Sequence, residues 1–90
     1  MMYPFLTLSD ETEIVHSEYL PDNTVKVYVE KPDEKDCFHH MTCLLPSLTV
    51  VENFGFSKKE IENYMEIIES SLPTIIEFSK EGGFENASSF

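Results

Sequence analysis

Hydrophobic and polar residues alternate along the first half of the chain and recur at helical spacing along the second. The clearest strand covers residues 24–30. There Val25, Val27 and Val29 share one face, and Lys26, Tyr28 and Glu30 share the other, as in a strand half-buried in an antiparallel sheet. Phe5-Leu6-Thr7-Leu8 is a short β-prone run before it, and residues 12–19 alternate as a second strand with Ile14 and His16 on one face. Leu20-Pro21-Asp22-Asn23 is a turn, because proline presets φ and Asp and Asn tolerate tight backbone geometry. Residues 37–45 form a fourth run, which ends at Pro46. Residues 47–53 stay open between two readings. Leu48-Thr49-Val50-Val51 is rich in β-branched residues, yet Pro46 suits the first turn of a short helix that Gly55 would close.

Ser57-Lys58-Lys59-Glu60 has the form of a capping box, with Phe56 placed to staple onto Ile61. Ile61, Tyr64, Met65, Ile68 and Leu72 then make an apolar stripe at helical spacing. Pro73 must kink or restart the helix, Ile75, Ile76 and Phe78 continue its apolar face, and Gly82-Gly83 stops it. The pattern predicts one α+β domain over residues 1–90. Three or four strands (roughly 5–45) form an antiparallel meander, and one kinked or two C-terminal helices (roughly 57–81) pack on one face of it, followed by a loose tail over 84–90.

Charge narrows the function. Seventeen acidic residues stand against six basic ones, all lysine, for a net charge of -11. Such a field repels nucleic acid and anionic membranes, and without arginine there is no bidentate reader of phosphate. It favours basic partners. Aromatics at 12% and hydrophobics at 41% set the chain apart from a disordered acidic tail. The N-terminal segment lacks the basic, apolar build of a signal peptide, and no run approaches the ~20 apolar residues of a membrane span. Cys37 and Cys43 on one strand would lie roughly 20 Å apart, too far for a disulfide. Free thiols match a cytoplasmic setting.

Three side-chain groups have chemical potential. Cys37, His39, Met41 and Cys43 alternate onto one strand face, so a metal could be shared by Cys37 and His39, with His16 as the other available imidazole. A flat strand cannot gather all four, and no second Cys/His pair completes the set, so burial in the core is the favoured reading. A thiol nucleophile at Cys37 or Cys43 would need a facing imidazole, and no nucleophile elbow or phosphate loop is present, so no catalytic residue is assigned. Glu62, Glu66 and Glu69 lie opposite the helical stripe, and Tyr28 opposite the three valines. These four are the partner-binding candidates. Tyr3, Tyr19, Phe54, Phe84 and Phe90 add aromatic surface at loops and ends.

Leu6-Thr7-Leu8, Thr12-Glu13-Ile14-Val15-His16-Ser17, Glu30-Lys31-Pro32, Asn53-Phe54-Gly55-Phe56-Ser57 and Glu81-Gly82-Gly83-Phe84 together resemble a group of short, acidic, uncharacterised bacterial proteins. The resemblance implies a bacterial origin and carries no activity. Small antitoxins with a strand-rich N-terminal half share the fold class, but their Gly-Cys-rich segment after the third strand has only Asp36-Cys37-Phe38 opposite it here. The expectation is a small non-catalytic binding module without a cofactor. It engages a protein partner of basic character, in an inhibitor, immunity or antitoxin-like role, with homodimerisation as a further mode. A metal-binding protein is the alternative, and a thiol enzyme comes third.

Overall fold

The computed structural model describes residues 2–35 and 37–81. Five strands come first: β1 (Met2–Thr7), β2 (Glu13–Ser17), β3 (Val25–Asp33), β4 (Cys37–Leu45) and β5 (Thr49–Phe54). Two helices follow, α1 (Lys58–Ser70) and α2 (Leu72–Lys80). The strands form one antiparallel sheet in sequence order, β1-β2-β3-β4-β5. The α+β meander is therefore as expected but has five strands instead of three or four. The expected glycine stop at Gly82-Gly83 and the tail over 84–90 lie outside the described residues.

The fifth strand settles the open segment. A bulge falls between Thr42 and Cys43 of β4 where they face Glu52 and Val50 of β5. Val51 is the extra residue and is 54% exposed. The bulge breaks the period of two, which is why the alternation there reads poorly. β1 starts at Met2, earlier than the apolar run suggests, because an edge strand can accommodate Pro4. β3 likewise runs through Pro32 to Asp33. β2 reaches only as far as Glu30, so Pro32 has a single neighbouring strand, the setting in which a sheet tolerates proline.

Both helices cover the same face of the sheet. Ile14, Val25, Val27, Val29, Met41, Cys43 and Leu45 form that inner face, each at most 1% exposed. Tyr64 and Ile68 of α1 and Ile75 of α2 close over them. Burying each such side chain contributes about 1.5–3 kcal/mol, so this layer holds the fold. Tyr64 Oη also lies 3.3 Å from Thr12 Oγ1, and Tyr19 N–H donates to Ser79 O at 3.1 Å. These two bonds tie the ends of β2 to α1 and α2.

The helix boundaries follow the sequence. Ser57 Oγ accepts from Glu60 N–H at 3.2 Å, and Ser57 N–H donates to Glu60 Oε1 at 3.0 Å, completing the capping box. The Phe56 ring, buried just before the cap, packs edge-on to Tyr64 at 5.0 Å. The chain breaks into two helices at Ser71, and Pro73 falls in the first turn of α2, where its missing N–H costs no helical bond.

Gly55 joins β5 to this cap with a φ of +91°, and a Cβ there would run into the His39 ring. Replacing Gly55 by alanine meets both backbone strain and that clash. Gly55→Ala is expected to destabilise the protein by more than about 1 kcal/mol in urea unfolding. Unchanged stability would contradict the described β5–α1 connection.

Candidate functional site

Because both helices lie on one side, the other face of the sheet is left without a covering layer among the described residues. Strand alternation decides what that open face carries. The register Glu13↔Glu30↔His40↔Phe54 runs across β2, β3, β4 and β5, and Val15↔Tyr28↔Thr42↔Glu52 runs beside it. Residues opposite the buried valines, including Tyr28, therefore face outward.

Three rings stack along this face. Tyr28 lies on His40 with centroids 5.8 Å apart and planes 22° from parallel. His40 lies on Phe54 at 5.5 Å and 21°. Cross-strand aromatic pairs of this kind contribute about 0.5–1.5 kcal/mol each. Phe54 remains 49% exposed despite its place in the stack. Carboxylates border the rings. Glu52 Oε1 lies 3.3 Å from His40 Nδ1, without hydrogen-bond geometry. The Tyr28 hydroxyl donates to Glu30 Oε2 at 3.0 Å. Burial, this bond, and the charges of Glu30 and Glu52 raise the Tyr28 pKa above its ordinary value.

Glu13 and Glu30 face each other directly across β2 and β3, an arrangement that costs stability. Among the described residues no lysine pairs with either. Lys31 instead reaches round the inner side to Asp10 at 3.5 Å and Glu60 at 3.8 Å. Glu13, Val15, Tyr28 and Glu30 line a small cavity of about 120 Å³. Glu13 and Glu30 also border a larger one of about 350 Å³, whose apolar walls are Leu8, Pro32 and Phe38.

The four partner-binding candidates fall into two places. Tyr28 is on the open face. Glu62, Glu66 and Glu69 are exposed on the outer side of α1, beyond the opposite face of the sheet. A shallow depression of about 420 Å³ runs past Asn63, Glu66, Ile67 and Ser70. The structure does not join these glutamates to Tyr28 in one surface. Sequence reading missed Glu13, Glu30, His40 and Glu52. The signal was available in the strand parity that exposed Tyr28, which puts Glu30 on the same face two residues on.

His16, His39 and Cys43 are spread over the inner side. His16 is fully buried. Its Nδ1 lies 2.8 Å from Ser17 O, which can only accept, so Nδ1 carries the hydrogen and Nε2 is left without a protein partner among the described residues. His39 lies against Phe56, with Nε2 3.7 Å from Asp33 Oδ2. His16 and His39 are two strands and four residues apart, on the order of 15 Å, so one ion cannot bridge them. No group of three or more His, Cys, Asp or Glu side chains among the described residues is arranged to hold a metal. Cys37 shares β4 with Cys43, as the sequence suggested. Cys43 is a fully buried free thiol, and burial pushes its pKa up to about 11, which disfavours the reactive thiolate. No helix among the described residues is long and apolar enough to cross a membrane.

No protein-family model, curated protein or solved structure matches the chain.

The Tyr28 contacts have a measurable consequence. A raised phenol pKa means that the fold favours the protonated ring. The resulting stabilisation is complete below the unfolded value of about 10 and is lost as pH rises through the folded one. An NMR titration of the tyrosine ring carbons is expected to place Tyr28 above the ordinary range, and Glu30→Gln to bring it back toward that range. A Tyr28 transition unmoved by the substitution would contradict the bond to Glu30.

Proposed function

We propose that this protein is a small, non-catalytic binding module that engages a basic protein partner through the open face of its sheet. One observation carries the reading: a face without a covering layer among the described residues bears an ordered Tyr28–His40–Phe54 ring stack framed by Glu13, Glu30 and Glu52. Exposed aromatics surrounded by charge are what protein interfaces present. Ring stacking limits the side-chain entropy lost on binding, and the carboxylates select partners by charge and speed their encounter. This chemistry supports an inhibitor, immunity or antitoxin-like role, in which an acidic face covers a basic site. The net charge of -11 favours a basic partner over a second copy of the same chain, since two such anions repel.

The glutamates of α1 are the competing surface, and variants separate the two. The protein is immobilised and exposed to lysate of its native host. Specific captured proteins are then compared for wild type, His40→Ser/Phe54→Ser and Glu62→Gln/Glu66→Gln/Glu69→Gln, with circular dichroism confirming the fold. The expected result is a basic protein retained by the wild type and the helix variant, released by high salt, and lost at least about tenfold by the open-face variant. Capture that survives the open-face variant but not the helix variant would move the contact to α1. Absence of any specific capture would overturn the reading.

A further inference from the structure

The open-face reading leaves unspecified which group of a basic partner the face recognises, and the region around Tyr28 supplies an answer. One side of the Tyr28 ring is stacked on His40. The ring also lines the small cavity with Val15, Glu13 and Glu30. A cation in that cavity would meet an aromatic face and two carboxylates together. The carboxylates face each other across adjacent strands without a lysine between them among the described residues. Repulsion between the facing like charges is relieved when a cation enters, which adds to the attraction. The adjoining cavity gives the site a direction. It shares Glu13 and Glu30 and continues to the apolar Leu8, Pro32 and Phe38, with Phe38 47% exposed.

We infer that the partner docks by an arginine, whose guanidinium lies against the Tyr28 ring between Glu13 and Glu30, while a neighbouring apolar side chain enters the Leu8–Pro32–Phe38 groove. This rests on the open face being the contact surface. Arginine fits better than lysine. Its guanidinium is planar, stacks on aromatic rings and can donate to two carboxylates at once, whereas an ammonium is compact and strongly hydrated.

Arginine amide and lysine amide serve as probes, titrated into isotope-labelled protein at low salt and followed by NMR. Arginine amide is expected to shift the resonances of Val15, Tyr28 and Glu30, with a dissociation constant of about 1 mM or weaker for so small a ligand. Lysine amide is expected to bind more weakly. Glu13→Gln/Glu30→Gln should weaken arginine binding about fivefold or more. It should unfold at an equal or higher temperature, so the loss cannot come from misfolding. Glu66→Gln on α1 should leave binding unchanged. Equal affinity for the two probes, shifts that map to α1, or binding indifferent to the double substitution would each overturn the arginine anchor. If the open face captures a partner but arginine amide does not bind at Tyr28, the anchor fails and the open-face reading stands. If arginine amide binds at Tyr28 but no partner is captured, the open-face reading fails instead.

Discussion

A five-stranded sheet has two faces, and the helices among the described residues cover one of them. α1 and α2 contain 13 and 9 residues, or about 20 and 14 Å of helix, and both are spent on the valine side of β3. Everything else follows from this one-sided cover. The inner face takes Ile14, the three valines, Met41, Cys43 and Leu45, and becomes an apolar layer sealed by Tyr64, Ile68 and Ile75. Among the described residues no layer lies above the outer face. Rings lie on one another across it, from β3 through β4 to β5.

Acidity takes on a specific meaning in that frame. Much of the negative charge is ordinary solvated surface, including the exposed Glu62, Glu66 and Glu69 of α1. Glu13 and Glu30 are different. They are fixed opposite each other by the strand register, beside an aromatic ring and at the meeting of two cavities. The backbone register keeps the two side chains neighbours, and the Tyr28 hydroxyl holds the Glu30 carboxylate beside the ring. A cation entering there meets two carboxylates and an aromatic ring together, whereas the exposed glutamates of α1 offer charge alone.

The fold class was legible because periodicity is a strong signal wherever one face is buried. Residues 24–30 declared β3, and Ser57 with Glu60 declared the start of α1 to the residue. β5 was not legible, because a bulge at Val51 and the flanking Pro46 and Gly55 gave the segment both strand and helix features. The candidate site was half legible. Tyr28 could be assigned to the outer face by parity alone. Its stacking on His40, and that of His40 on Phe54, depends on inter-strand register, which hydrophobic alternation does not specify across an open face. The helix glutamates attracted attention because they cluster in sequence, whereas Glu13, Glu30 and Glu52 come together only in space.

The central claim is that, among the described residues, nothing covers the ring-bearing face of the sheet while the valine face is sealed. Paramagnetic relaxation by a soluble, uncharged gadolinium chelate measures this directly, residue by residue. The account predicts strong broadening of Val15, Tyr28 and Phe54 side-chain resonances, and little at Val27, Met41 and Ile68. Protection of Tyr28 and Phe54 comparable to that of Val27 would mean that the outer face is already covered, and would contradict the account.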